Sequence, residues 1–423
     1  MATTNEFESM LNEHLDYSLL RTELVDRTWL WKNCQHDSSW KGGTIPIPFQ
    51  GGAASSVKFG SLTASNDISS STYVRGELTT QKEMWSTIQF YHRDVIEHDG
   101  KVNEDSFLKL LPGELERFTD EIKKKASIQM WHGYADTQVS TDVGTSGGVI
   151  KVDHPERFTI GEKVYVDDDS SSVSAACYIR TINMNTGELT LYDARTAGSV
   201  VSMVDYSGAQ NGKIYYDGTQ PGTALGFTSL RDLLLSAANG GASTIAGQTK
   251  TAYPHLQALN LDGSSITEDN ILEALFNKFV TVRNRCSGMP TKCVMSYKNW
   301  SAVLKNVDIK KGAYHQDSSS RKSSEYGWDE IEILGPKGKF SLVAVQEMSD
   351  TEIYFLDPKT IKFHSNGMIR RHVNPDGNSY FTSRDATAGY SYLVDLFCYG
   401  DLMVGTPLAN AVIHDVNFAL SEE

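Results

Sequence analysis

Residues 90–133 read FYHRDVIEHDGKVNEDSFLKLLPGELERFTDEIKKKASIQMWHG, and this stretch decides the fold of the chain. A strand pattern covers Ile88–Val95, Asp99-Gly100 makes a turn, and the strongest helical pattern of the sequence follows. Pro112 starts a new helical turn, because proline lacks the N–H that a helix interior needs. The apolar residues after it recur at three- and four-residue steps, namely Leu115, Phe118, Ile122 and Ala126. This spacing predicts a long amphipathic helix against which a sheet packs.

The charges of this predicted helix follow its dipole, with acidic residues early and Lys123, Lys124 and Lys125 late. Lysines at the end of a helix are normally solvated. We therefore expect this run to be a solvated helix end rather than a nucleic-acid contact.

Composition restricts the class of protein. A chain of 423 residues with 39% hydrophobic residues is globular and long enough for about two or three units. The formal net charge of -14 argues against a protein that grips nucleic acid. No stretch resembles a secretion signal or reaches transmembrane length, so we expect a soluble protein made in a cytoplasm. The scattered cysteines are expected to be reduced and buried: Cys34, Cys177, Cys286, Cys293 and Cys398.

Two segments precede the helix. Residues 1–40 place Phe7, Leu11 and other apolar residues at helical spacing, followed by Trp29 and Trp31. This amphipathic arm is expected to pack on a neighbouring element or chain. Residues 41–95 are rich in Gly, Ser and Thr and describe an extended hairpin with two strand-like legs. An isolated two-stranded ribbon is marginal in water, so the hairpin needs a partner surface.

The chain after the helix divides into a β part and an α/β part. Residues 149–220 contain short alternating strands with a tight-turn signal at Asn185-Thr186-Gly187, which predicts a small inserted barrel or sandwich. Beyond Thr228 the predicted elements alternate. They are helices at Leu230–Ala238, Asp269–Cys286 and Tyr297–Val307, strands at 292–296, 330–334, 340–346 and 352–356, and a mainly β segment at 361–416.

The search for chemistry finds no catalytic, cofactor-binding or metal constellation. Asp167-Asp168-Asp169 lacks the remaining ligands of a calcium loop and is interpreted as an exposed turn. His92 and His98 lie near acidic residues but are interpreted as a solvated strand end. No serine lies in a nucleophile-elbow context. We therefore predict a protein that is not an enzyme and needs no cofactor.

The order of these parts resembles the major capsid protein of tailed bacteriophages, the Hong Kong 97-like fold. The resemblance covers nearly the whole chain and depends on the sequence order of long patterns rather than on short motifs. The stretches that carry it are TIQFYHRDVIEHDGKVNEDSFLKLLPGELERF (87–118), PTKCVMSYKNWSAVLKNV (290–307), EIYFLDPKTIKF (352–363) and GYSYLVDLFCYGDLMVGTPLANAVI (389–413).

The resemblance implies an α+β fold with an inserted β domain. Its parts would be an N-arm at 1–40, an E-loop hairpin at 41–95 that lies across an adjacent subunit, a peripheral domain with the spine helix at 96–145 and 359–406, a β insertion domain at 146–222, and an axial domain at 223–358 and 407–423.

The function that the resemblance implies is self-assembly into an icosahedral shell of pentamers and hexamers that encloses double-stranded DNA without binding it tightly. The implied partners are further copies of the chain, a separate scaffolding protein, a portal and a decoration protein. Assembly would take place in the host cytoplasm, and procapsid maturation would follow. The implied subunit-interface residues are Lys58, Phe59, Arg75, Glu77, Phe7, Leu11, Trp29 and Trp31.

Some members of this family crosslink their subunits through lysine and asparagine. Lys58, Asn366 and Asn374 lie in the corresponding parts, but an ordinary solvated lysine is the expectation for Lys58. Two alternatives stay open. One is another self-assembling virion part, such as a tail tube or decoration protein. The other is a hydrolase or carbohydrate-binding protein whose β unit holds a ligand near Tyr165, Tyr178 and Tyr192.

Overall fold

The structure is a computed structural model that describes residues 28–41, 43–50, 73–79, 82–91, 118, 121–137, 148–167, 176–195, 198–200, 212–220, 225–286, 288–309, 330–335, 338–366, 370–371, 381–385 and 389–418. The chain divides into two compact units. The first comprises Met1–Lys32, Lys82–Phe227 and Ser365–Asp401, and the second comprises Asn33–Gln81, Thr228–His364 and Leu402–Glu423.

The described elements make a mixed α+β fold, as the sequence predicts. The strands are β1 Gln35–Asp37, β2 Ile45–Gln50, β3 Tyr73–Leu78, β4 Lys82–Tyr91, β5 Asp136–Thr137, β6 Val149–Lys151, β7 Lys163–Val166, β8 Cys177–Asn183, β9 Glu188–Tyr192, β10 Lys213–Tyr216, β11 Thr244–Ile245, β12 Gln248–Thr249, β13 Leu259–Asp262, β14 Lys292–Met295, β15 Glu330–Gly335, β16 Gly338–Ala344, β17 Ile353–Leu356, β18 Ile361–Ser365, β19 Arg370–Arg371, β20 Phe381–Asp385, β21 Gly389–Val404 and β22 Ala411–His414. The helices are α1 Trp29–Asn33, α2 over residues 121–132, α3 Leu230–Leu234, α4 Ile271–Arg285 and α5 Tyr297–Ile309.

A long antiparallel strand pair organises the first unit. Strand β4 pairs with β21 in one register from Tyr91 opposite Ser391 to Lys82 opposite Gly400. Strands β19 and β20 also pair antiparallel with β21. The strand predicted at Ile88–Val95 therefore begins six residues earlier, at Lys82, and residues 92–95 lie outside the described residues.

The predicted β unit is present in the first unit as one six-stranded sheet, in the order β5-β10-β7-β8-β9-β6 with antiparallel neighbours. Five of its strands, β6 to β10, fall where the alternating patterns predict them, whereas β5 precedes the predicted unit at 149–220. The turn at Asn185-Thr186-Gly187 is confirmed by a positive φ of 72° at Gly187. A single core of apolar residues fills it, and Ile128 of helix α2 belongs to that core. Closure of this sheet into a barrel or sandwich stays a prediction.

Helix α2 is more deeply buried than an amphipathic stripe implies. Every residue from Ala126 to His132 is buried, so this part of the helix is covered on all sides. The helix also continues past the lysine run, and the prediction of a solvated helix end is wrong. Lys123 is 4% exposed, and Lys124 donates from Nζ to the carbonyl oxygen of Glu156.

The contacts of Lys125 show how a lysine of this run is stabilised away from water. Its Nζ lies 2.6 Å from a carboxylate oxygen of Glu121 and 2.8 Å from one of Glu162, and it sits over the ring of Tyr216. Burial lowers the pKa of Lys125, but the two carboxylates outweigh burial and raise it. A carboxylate of the same helix and one from the β unit therefore compensate the charge of Lys125, which we expected water to solvate.

The second unit contains the predicted α/β part. Its sheet has the order β13-β22-β17-β14-β16-β15, with β13 parallel to β22 and β14 parallel to β16. The predicted helices at 269–286 and 297–307 are confirmed as α4 and α5. The rings of Phe279, Phe340 and Phe355 form the centre of the core, with Phe279 and Phe340 stacked at 3.8 Å.

The helix predicted at Leu230–Ala238 is shorter, because Leu235 is extended and the Ser236 N–H donates to Asn260 Oδ1.

The predicted hairpin is present as β2 and β3, paired from Ile45 opposite Leu78 to Gln50 opposite Tyr73. One face buries Ile47, Phe49, Val74 and Leu78. The outer edge of β3 is covered by the β11–β12 turn of the same unit, because the Glu77 N–H donates to the Ala246 carbonyl and Gln248 Nε2 donates to the Arg75 carbonyl. The hairpin thus finds a partner surface within its own chain.

Gly76 permits this close approach. A Cβ at this position would lie 2.5 Å from Phe49 Cε2 and 2.8 Å from the Cβ of Ala246. Ala246 itself has a φ of 46°, which holds the β11–β12 turn in a left-handed conformation. The absence of a side chain at residue 76 is therefore what lets the turn pack on the hairpin.

Lys250 ties the end of helix α3 to the loop that follows it. The side chain is 3% exposed, and its Nζ donates to the carbonyl oxygens of Asp232 at 2.5 Å and Leu235 at 2.8 Å. Burial lowers the pKa of Lys250 to about 8, although the nearby Asp232 charge acts in the opposite direction.

We expect Gly76→Ala to lower the free energy of unfolding by about 1–3 kcal/mol, because the new methyl group overpacks the contact between hairpin and turn. Urea unfolding followed by tryptophan fluorescence measures the change. Gly43→Ala is the matched control, since a Cβ there meets no atom within 4 Å. Equal stability of the two variants would contradict this account of the hairpin.

The pH dependence of stability tests the burial of Lys250. The folded chain releases the lysine proton near pH 8, whereas the unfolded chain keeps it to about pH 10.4. Unfolding therefore takes up a proton in this window, so the free energy of unfolding of wild type rises with pH relative to Lys250→Met. Denaturation at several pH values measures this rise, with the exposed Lys359→Met as the control for loss of a lysine. A difference in free energy of unfolding between wild type and Lys250→Met that stays constant above pH 8 would contradict the burial of Lys250.

Candidate subunit-contact surfaces

One face of the β4–β21 pair carries an exposed aromatic cluster. Alternation along β21 buries Val394, Leu396 and Cys398 and leaves Phe397 and Tyr399 half-buried on the other face. In the opposing strand Trp85 stands directly across from Phe397 and is 47% exposed. We call Trp85, Phe397 and Tyr399 the aromatic face.

The three rings contact one another. The ring centroids of Trp85 lie 5.3 Å from Phe397 and 5.9 Å from Tyr399, and Phe397 and Tyr399 are 5.0 Å apart. Trp85 Nε1 donates to Glu83 Oε2 at 3.0 Å. Burial and, second, the Glu83 carboxylate raise the pKa of Tyr399. Aromatic side chains held rigidly by a sheet and bordered by polar groups are typical of the centres of protein contacts.

Sequence reasoning missed this face, although a signal for it exists. Trp85 belongs to a strand in which Glu83, Trp85, Thr87 and Gln89 alternate with less exposed residues. A tryptophan on the polar face of such a strand indicates a contact surface. The partner rings of β21 come from a region some three hundred residues later, and only strand register brings them to Trp85.

The predicted interface residues on the hairpin have a different environment. Arg75 and Glu77 lie on the exposed face of β3, where Arg75 Nε and Glu77 Oε1 are 3.4 Å apart. Such an exposed pair contributes little to stability, so both side chains are available for a contact. Lys58 and Phe59 lie outside the described residues. An interface role for the four residues stays a prediction.

The predicted interface residues of the arm are partly inside the chain. Trp31 is 1% exposed, and Trp29 is half-buried with its ring stacked on Trp131 at 6.0 Å. Both belong to α1, so the arm is anchored at its end by packing within its own unit. Phe7 and Leu11 lie outside the described residues. Helix α1 therefore attaches this part of the arm to the unit in which it lies.

The described residues hold no group of three or more His, Cys, Asp or Glu that suits a metal ion. In the β unit, two of the three tyrosines that we considered as a ligand platform have a cation over the ring. Lys163 lies over the ring of Tyr165 and Arg180 over that of Tyr192. No helix of the described residues is long and apolar enough to cross a membrane.

The five thiols have the environments expected of structural cysteines. All are free, and all except the half-buried Cys286 are buried. Burial raises the pKa of Cys34 to about 12, of Cys286 to about 11 and of Cys398 to about 12. Since the thiolate is the reactive form, these groups are poor nucleophiles at neutral pH.

We expect the folded chain to react with less than one equivalent of Ellman's reagent at neutral pH, and the urea-unfolded chain to react with five. Residual labelling in the folded state should map to Cys286, because it is the half-buried thiol. Cys286→Ser should remove that residual signal. Rapid labelling of Cys34 or Cys398 in the folded chain would contradict the burial of these thiols.

Sequence comparison finds no matching family profile and no matching curated protein. Structure comparison finds similarity at low identity. The cyanophage A-1(L) capsid protein is 11% identical with a TM-score of 0.47, and the match covers 91% of this chain and 90% of that one. The capsid of a native GTA particle is 9% identical with a TM-score of 0.46, covering 92% and 90%. A virus-like particle from Pyrococcus furiosus is 10% identical with a TM-score of 0.37, covering 95% and 100%. Each of these matches extends over nine-tenths or more of this chain.

Proposed function

We propose that the chain is a major capsid protein that assembles as pentamers and hexamers into an icosahedral shell around double-stranded DNA. The observation that carries the proposal is the pairing of β4 with β21. It brings the segment after the hairpin back beside a strand of the last third of the chain. The hairpin, helix α2, the β unit and the α/β sheet follow one another in the order that the sequence resemblance requires.

The parts of the chain take the roles that the resemblance implies. Residues 1–40 are the N-arm and 41–95 the E-loop hairpin. The peripheral domain is 96–145 with 359–406, the β insertion domain is 146–222, and the axial domain is 223–358 with 407–423. Support comes from the separate cores of the β unit and the α/β sheet, each filled by its own apolar residues.

The aromatic face supplies the chemistry of self-association. An exposed tryptophan backed by two further rings offers apolar area that a second copy can cover. Repetition of one modest contact in every subunit adds up through multivalency, so no single contact has to be strong. Arg75 and Glu77 on the hairpin, together with the arm, add further contacts between copies.

The excess of acidic over basic residues supports a protein shell that encloses DNA. With 53 acidic against 39 basic residues, the shell repels phosphate, so that packaged DNA is enclosed and released without tight binding. A separate scaffolding protein, a portal and a decoration protein complete the particle. The shell assembles in the host cytoplasm and becomes part of the virion.

Negative-stain electron microscopy of the chain expressed with its neighbouring genes tests the function. Closed polyhedral particles of uniform size are the expected result. Tubes would favour the tail-protein alternative. Small discrete oligomers under every salt and co-expression condition would overturn the shell and return attention to the β unit.

We expect Trp85→Ser to lower the yield of closed particles roughly tenfold or more, because each copy loses the exposed ring of its aromatic face. The subunit keeps its fold but loses ring contacts worth about 1 kcal/mol, so yields are compared well below its melting temperature. Ile160→Ser is the matched control, since Ile160 is 70% exposed in the β unit. Sedimentation of particles from subunits measures the yields. Equal yields for both variants would contradict a contact role of the aromatic face.

A further inference from the structure

Strand β4 is an edge strand of its sheet in the part of the chain that the structure describes, because β21 is the one strand that pairs with it there. The Glu83 N–H donates to the Leu225 carbonyl at 2.9 Å, so residue 83 directs its backbone groups away from β21. Backbone direction alternates along a strand, and the register of this pair has no shift. The backbone groups of Thr87 and Gln89 therefore point to the same outer edge.

The outer edge of β4 is open at Thr87 and Gln89. Both residues are exposed. Their backbone N–H and carbonyl groups have no hydrogen-bond partner on this side among the described residues. Their side chains reach toward β21 instead, where Thr87 Oγ1 donates to Asp395 Oδ1 at 2.6 Å and Gln89 Nε2 donates to Ser391 Oγ at 3.1 Å. Two donors and two acceptors thus line an edge that the side chains of these two residues leave uncovered.

The sequence of this edge permits the addition of a further strand. Exposed strand edges normally carry features that prevent strand addition, such as proline or lysine. Strand β2 of the hairpin has such features in Pro46 and Pro48. The stretch WSTIQ of β4, residues 85–89, has neither a proline nor a charged residue, and its tryptophan, threonine and isoleucine favour strands. The chain therefore protects one strand edge and leaves the other one available.

We propose that the outer edge of β4 pairs with the same edge of a second copy, antiparallel and about a two-fold axis at Ile88. This inference rests on the proposed function, because the second copy is present only in an assembly. About this axis Thr87 lies opposite Gln89 of the second copy, and Gln89 lies opposite Thr87. The two pairs exchange four hydrogen bonds, which use both donors and both acceptors of each copy. One symmetric contact thus satisfies all the open groups of the edge.

The charges around this edge are complementary to themselves about Ile88. Glu83 and Arg93 are each five residues from Ile88, and Lys82 and Asp94 are each six residues from it. Arg93 and Asp94 lie outside the described residues, so this match is one of sequence position. An antiparallel pairing about Ile88 sets each acid against a base of the second copy, whereas pairing with like charges opposite each other would be unfavourable.

The aromatic face also favours a second copy as the added strand. Opposite residues of an antiparallel pair point to the same side of a sheet. Trp85, Thr87 and Gln89 share one side of β4, which is the side of the aromatic face. Addition of a second β4 therefore places the aromatic faces of both copies on one side of a continuous sheet.

Two variants with one added cysteine each test the register. Thr87→Cys and Gln89→Cys subunits are mixed in equal parts, assembled and oxidised. Opposite residues of this pairing have Cα atoms about 5.5 Å apart, within reach of a disulfide, whereas residue 87 is about 7–8 Å from residue 87 of the second copy. The mixture should give several times more disulfide-linked dimer on a non-reducing gel than either variant alone. Ile160→Cys measures random collision, because Ile160 is 70% exposed. Equal yields from the mixture, the separate variants and this control would overturn the proposal.

A second test removes the backbone donor. Gln89→Pro deletes an N–H that points away from β21, and edge positions of this kind tolerate proline. Circular dichroism of the subunit should show a retained fold. Each contact loses two of its four hydrogen bonds, so the yield of particles in sedimentation should fall roughly tenfold or more. Gln89→Ala is the matched control, since it loses the same side-chain contact with Ser391 but keeps the N–H. Equal yields for the proline and alanine variants would overturn the proposal.

The outcomes also separate this inference from the shell itself. Wild-type tubes in place of closed particles would count against the proposed function, while a disulfide between residues 87 and 89 of different copies in those tubes would still support the β4 contact. Closed wild-type particles whose cysteine variants give no such disulfide would overturn the β4 contact and leave the shell intact.

Discussion

The structure of the first unit depends on the antiparallel pairing of β4 with β21. Thr87 and Asp395, which are hydrogen-bonded across this pair, are 308 residues apart in the chain. Closing a loop of that length costs roughly 5 kcal/mol of chain entropy. Ten consecutive residue pairs and the ring contacts of Trp85 offset this cost. The same register decides which residues of β21 face the core, because a slip of one residue would exchange Leu396 for Phe397.

Local pattern predicted much of this fold. The alternating strands of the β unit, the turn at Gly187 and helices α4 and α5 all fall where periodicity and turn residues place them. These elements are specified by neighbours in the sequence. The aromatic face and the packing of the lysine run at 123–125 were not foreseen, since both depend on which distant segments pack together. Glu162 compensates Lys125 from a loop of the β unit, and Phe397 reaches Trp85 through strand register.

Whether a charged side chain in the interior is compensated also depends on residues that are distant in sequence. A lysine run looks identical in sequence whether water or carboxylates solvate it, and only the fold decides between them. Lys125 and Arg157 receive their compensating groups from the unit in which they lie. Trp31 illustrates the apolar case, because an arm tryptophan that the resemblance assigns to an interface is buried in its own unit. Whether an apolar side chain of the arm packs inside its own unit is thus decided by the fold and not by the sequence pattern alone.

Two prolines of the hairpin close the outer edge of β2 to strand addition. Because the Glu77 N–H points away from β2, toward Ala246, the nitrogen of its partner Pro46 points to the outer edge of β2. Pro48 repeats this arrangement two residues later, and proline cannot donate a ladder hydrogen bond. The two prolines therefore block strand addition along this edge, which is the route to uncontrolled aggregation. In the proposed shell, contacts between copies would therefore use side-chain surfaces such as the aromatic face and not this strand edge.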